Sequence, residues 1–163
     1  MIRVAGAEHP QATDRQPSPR KLETDPMPSI ELAEKIREEI IDSGMDDRYH
    51  TGAYEFVLSG LEFYQSKLGE RRHVTGQELS QALLMFAHKQ FGPMALSVFG
   101  YWGVKTTGDL GCIVYNMIKI GMMGKQPGDS LDDFFDVTDI PTALGAMENF
   151  QVDKEHVRKI KGA

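Results

Sequence analysis

The chain has 163 residues, 40% hydrophobic and 26% charged, which is the balance of one globular domain of ordinary size with some tail. Its net charge is −6, and no block is basic: residues 50–137 hold seven basic and nine acidic side chains. Nonspecific nucleic-acid binding is mainly phosphate neutralisation by clustered Lys and Arg, so nothing here predicts it, and a lone cysteine, Cys112, excludes an internal disulfide framework. That cysteine usage fits a reducing cytoplasm. No run approaches the roughly 18 apolar residues of a membrane span, and the first residues lack a signal-peptide core.

Five of the eight prolines fall in residues 1–28, among Gln, Ser, Thr and charges. Such a segment buries too little apolar surface to offset its chain entropy, and it predicts a disordered arm or docking peptide. Order is expected from Ser29. Ile30, Ala33, Ile36 and Ile40 recur at helical spacing before Gly44. Thr51 is expected to cap a second helix with Ala53, Val57, Leu61, Tyr64 and Leu68 on one stripe, closed by Gly69.

"TGQE" at 75–78 has the form of a capping box, in which the hydroxyl accepts an amide and the glutamate reaches back. Leu79, Ala82, Leu83, Phe86, Ala87 and Phe91 then line one face before Gly92. Pro93 suits the start of a short helix in which Met94, Ala95, Val98, Phe99 and Trp102 point inward. Thr106 or Thr107 caps a fifth helix with a stripe of Leu110, Ile113, Val114, Met117 and Ile118. Beyond Gly121, the Pro127–Gly128 turn signal between Met122–Lys125 and Leu131–Val137 predicts a β-hairpin. "IPTALGAMENF" adds a last helix, and 151–163 form a mixed-charge tail.

This order predicts a mainly α fold: a helical bundle, 29–150, with a winged-helix-like core, that is, a helix-turn-helix followed by a short β-hairpin. The apolar positions of the third winged helix fall one residue later than usual, so its turn is one residue longer than usual or the core is a plain bundle. The outward face of that helix is expected to show Gly108, Gly111, Cys112, Tyr115, Asn116 and Lys119, beside a wing bearing Asp129, Asp132, Asp133 and Asp136. Base readout draws on Arg, Lys, Asn and Gln, and this face has one lysine and one asparagine. Small residues admit another backbone closely and Tyr115 is an interface-type anchor, so the face fits protein better than DNA.

No catalytic, cofactor or metal signature stands out. The five histidines form no HxxxH pair, and the one ExxH spacing, Glu70–His73, falls in the loop expected after Gly69 and not on a helix face. The aspartates lack the spacing of a calcium loop, and there is no P-loop or G-x-S-x-G elbow. Cys112 reads as a small helix residue. Glu55 and Glu62 share a helix face but have no expected pocket.

"GAYEFVLSGLEFYQ", "HVTGQELSQA" and "QFGPMALSVFGYWGVKTTGDLGCIVYNMI" resemble a family of short bacterial proteins with no assigned activity, over about residues 30–137. The resemblance implies a self-contained unit and transfers no site residue. The leading expectation is a non-enzymatic interaction module. It would bind another protein through Gly108, Gly111, Cys112, Tyr115, Asn116 and Lys119, with Asp129, Asp132 and Asp133 beside them. The alternatives are a DNA-binding regulator drawing positive charge from a dimer or from its arms (Arg15, Arg20, Lys21; Arg158, Lys159, Lys161), and a small enzyme of unspecified reaction.

Overall fold

A computed structural model describes residues 2–4, 26–70 and 72–151. Helix α1 spans Pro26–Ile36 and runs on through a wider π-helical stretch, Arg37–Asp42. It is followed by α2 (Thr51–Leu68), α3 (Gly76–Phe91), α4 (Ala95–Trp102), α5 (Thr107–Lys119) and α6 (Ile140–Gln151). The described chain is mainly helical, as its 3.6-residue apolar periodicity predicts, and no helix in it is long and apolar enough to cross a membrane.

Most predicted helix signals act where expected, but α2 is capped by His50, which accepts from the Gly52 amide at 2.9 Å, and Thr51 is its first helical residue. Gly69 and Gly103 end α2 and α4 in the left-handed conformation that glycine adopts without a Cβ penalty. Gly103 has a second reason to lack a side chain, because a Cβ there would run into the carbonyl oxygen of Arg48. Thr75 accepts from the Glu78 amide at 3.1 Å, the hydroxyl half of the expected box. The Glu78 carboxylate is held chiefly by Arg72 and by the Tyr64 hydroxyl.

The core lies between α2, α3 and α5. Tyr54, Val57 and Leu61 of α2 meet Leu79, Leu83 and Leu84 of α3 and Leu110, Ile113 and Val114 of α5. An aromatic cluster fastens α4 to it. Phe56 sits 5.5 Å from Phe99 and 5.4 Å from Trp102, centroid to centroid, and Phe91 meets Trp102 edge-on at 5.7 Å. Met94, expected inside, is 60% exposed, because the 3₁₀ turn Gly92–Met94 points it away from this cluster.

Two expectations are corrected. The segment 122–137 does not form a hairpin. Its first half, strand β2 (Met123–Lys125), pairs antiparallel with strand β1 (Ile2–Val4), with Ile2 opposite Lys125. Its second half contains a 3₁₀ turn, Leu131–Phe134, which Ser130 and Asp133 cap reciprocally. The local reason is that capping: Ser130 accepts from Asp132 at 3.1 Å, and Asp133 accepts from Ser130 at 3.1 Å. These bonds commit the backbone to a helical turn, which competes with strand pairing. The expected arm, 1–28, is not wholly unstructured either, since it supplies β1 and the first turn of α1. Residues 5–25 of that arm and residues 152–163 of the tail lie outside the described residues.

Candidate functional site

The loop between α1 and α2 is nailed to α5 by a buried polar cluster. Asp46 accepts from the Arg48 backbone N–H at 3.1 Å, from its Nε at 2.9 Å and from its Nη2 at 2.8 Å. It also accepts from Asn116 Nδ2 at 2.9 Å, and the same amide donates to the Tyr54 hydroxyl at 3.1 Å. The Arg48 guanidinium, with help from Asn116, holds the Asp46 carboxyl well below the usual carboxylate range despite partial burial. Burial is the main reason that Tyr54 is pushed up to about 12.

One loop position further, the Tyr49 hydroxyl donates to Asp109 Oδ1 at 2.6 Å. Asp109 Oδ2 meanwhile caps α5, accepting from the backbone of Lys105 at 2.8 Å and of Thr106 at 3.0 Å. Burial opposes ionisation of Asp109, yet these donors and Tyr49 together keep its carboxyl below the ordinary range. Tyr49→Phe removes one charge-assisted bond. We expect a loss of about 1–2 kcal/mol in denaturant unfolding and an upward shift of the Asp109 titration by carbon-detected NMR.

A cleft of about 610 Å³ opens beside this cluster, with Arg48, Lys105, Cys112, Phe135 and Asp139 on its walls. The N-termini of α5 and α6 both reach it. Each carries a side-chain cap from the chain itself: Thr106 accepts from the Asp109 amide at 3.3 Å, and Asp139 accepts from the Thr142 backbone at 3.1 Å. Arg48 is committed to Asp46 and also lies within hydrogen-bond reach of Cys112. Among the described residues, no group of three His, Cys, Asp or Glu side chains is placed to share a metal ion. Among the described residues, no histidine or carboxylate hydrogen-bonds to Cys112, which is half-buried.

The face of α5 predicted to meet a partner is instead largely covered by the chain's own 3₁₀ turn. A Cβ on Gly111 would lie 2.6 Å from Phe134 Cβ, and one on Gly108 would lie 2.9 Å from Phe135 Cδ1. Tyr115 meets Phe134 edge-on at 6.4 Å, and its hydroxyl is buried without a partner. Asn116, 5% exposed, is spent on Asp46 and Tyr54. Gly108, Gly111 and Asn116 are therefore interior residues, with Cys112 and Tyr115 half-buried beside them. The small residues of α5 do admit a close neighbour, and that neighbour is the chain's own pair of phenylalanine side chains.

Lys119 and Asp132 remain exposed, whereas Asp129 and Asp133 are half-buried. The carboxylates of these last two are engaged locally, Asp129 by the Gln126 amide at 2.8 Å and Asp133 by the Ser130 amide. The acidic segment is thus a folded cover for α5. It does not project as a wing.

The surface that the sequence reading overlooked is on α4. Met94, Leu96 at 46% exposure and Tyr101 at 74% stand on one short stretch, with Ser97 and Gly100 also exposed. Between Lys89 and Lys105 the sequence has no charged residue. That gap is the signal in the sequence that marks this surface. The Tyr101 ring rests against His50 at 5.2 Å, and His50 is itself fixed by accepting from the Gly52 amide at 2.9 Å. No family model, curated protein or solved structure matches the chain.

Proposed function

We propose that this protein is a non-enzymatic protein-interaction module, and that its partner surface is the uncharged ridge of α4. The observation that carries this reading is the coincidence of three large exposed apolar side chains, Met94, Leu96 and Tyr101, with a 15-residue stretch free of charge, 90–104. Apolar residues exposed singly need no explanation, whereas three large ones within eight residues of one turn and helix point to a contact surface. Tyr is enriched at the centre of such contacts.

We read α3–α4–α5 as a helix-turn-helix core in which the segment after β2 takes the place of a wing. The α5 face that would read a duplex is occupied by Phe134 and Phe135, which supports protein over nucleic acid as the partner. The single cysteine supports a reducing compartment, and we place the protein in the cytoplasm.

A photoreactive amino acid at Ser97, compared with one at the exposed Ser59 of α2, tests this in cells that express the full chain. We expect a discrete protein adduct from position 97, its loss in Leu96→Glu, and none from position 59. Equal adducts from both positions, or none from 97, would refute the assignment.

A further inference from the structure

We propose that the occupant of the α4 ridge is a second copy of this chain, packed α4 against α4 about a two-fold axis. The inference rests on the reading of α4 as the partner surface and goes beyond it by naming the partner.

Charge is the first ground. Two copies each carry −6, so they repel wherever carboxylates face one another. A two-fold contact sets a patch against itself, so any charge within it meets its own like near the axis. The ridge spans the one long stretch of the folded chain, 90–104, in which no such charge occurs. A foreign partner would need some charged or hydrogen-bonding feature to be chosen over others, and this surface offers little beyond the Tyr101 hydroxyl and Ser97. A copy needs none, provided that the high and low positions of two such ridges interleave.

Shape is the second ground. Leu96 and Tyr101 stand up from α4, and between them Ser97 and Gly100 lie low. Where a Cβ would sit on Gly100 there is nothing within 4 Å, so a facing helix can approach the backbone itself. An antiparallel copy turned about an axis near Ser97 and Gly100 places its Leu96 and Tyr101 over the low positions of the first, and the reverse. This is ridge-into-groove packing at the close separation that small residues allow. His50 backs the Tyr101 ring, so the anchor is presented before contact.

Size sets the strength. An eight-residue helix is about 12 Å long, so the contact falls at the small end of specific interfaces. The dimer is weak and reversible, with dissociation in the micromolar range or above.

Sedimentation velocity of the full chain, from sub-micromolar to hundreds of micromolar, tests this. The wild type is expected to move with concentration from 18.2 kDa toward twice that mass. Leu96→Glu, at an exposed position, is expected to keep the wild-type circular dichroism and remain monomeric throughout. Met85→Glu, an exposed apolar residue on α3, is expected to dimerise like the wild type. Mixing Leu96→Glu with Leu96→Lys is expected to restore a dimer of one copy of each. A wild type that stays monomeric overturns the inference, and so does a dimer that survives Leu96→Glu. If the wild type is monomeric while position 97 still captures a different protein in a Leu96-dependent way, this inference fails and the α4 reading stands. If position 97 captures nothing as well, both fail.

Discussion

Phe134→Ala is expected to lower the unfolding free energy by about 3–5 kcal/mol, the usual range for emptying a fully buried aromatic site. Phe134 is fully buried although it belongs to a four-residue turn with little structure around it in sequence. Its ring passes the α-carbons of two glycines, Gly76 at the start of α3 and Gly111 in the middle of α5, and closes edge-on against Tyr115. A Cβ at Gly76 would come within 3.0 Å of Phe134 Cε2, so the cavity is shaped to an aromatic ring without slack. Chemical denaturation followed by circular dichroism reads the loss. Phe135→Ala, one residue on and 47% exposed, should cost less than about 1 kcal/mol. Similar effects at the two positions would mean that the 3₁₀ turn is not seated on α5 as described.

The second large effect is at Asp46. Its carboxylate accepts four hydrogen bonds and sits between an arginine and a buried amide. Asp46→Ala leaves the Asn116 amide short of an acceptor in the interior and frees Arg48 from the loop. The arginine end of the pair is open to solvent, which screens its share, so the expected loss is about 2–3 kcal/mol.

The same group gives stability a pH dependence of known sign. Asp46, through Arg48, and Glu78, through Arg72, are both held below the ordinary carboxylate range in the folded chain, as is Asp109. As pH falls from about 5, the unfolded chain takes up protons first, so the folded state loses stability progressively through the carboxylate range. Above that range the contribution is present in full. Urea midpoints measured from neutral pH down to about pH 3 should fall for the wild type, and fall less steeply for Asp46→Ala. Parallel curves would show that Asp46 is not held in its ionised form by Arg48.

The local grammar of this chain was legible wherever one residue decides one event. Gly69 and Gly103 ended their helices, Thr75 and Thr106 capped theirs, and the stripe Leu110, Ile113, Val114 and Met117 went inside as its spacing required. What failed depended on distant partners. Met123–Lys125 looked like half a hairpin because its true mate, Ile2–Val4, lies at the other end of the sequence in a region whose composition argued against order. Gly108 and Gly111 looked like an open face because nothing local announces that Phe134 and Phe135 return to cover them. The Ser130–Asp133 box was nevertheless in plain sight, and weighing it against the Pro127–Gly128 signal would have favoured a turn over a second strand. The site at Asp46 had no pattern at all: its donors come from loop residue 48 and helix residue 116, and only the fold brings them together.

The pairing of β1 with β2 also orders events in time. Ile2–Val4 is synthesised well before its hydrogen-bonding mate, Met123–Lys125, which follows every helix from α1 to α5. Closing so long a span costs chain entropy that three backbone pairs alone repay poorly, so the ribbon waits until the packed helices have already brought its ends near. For most of translation the first strand is an unsatisfied edge, and its short length limits the harm it can do by finding a stranger.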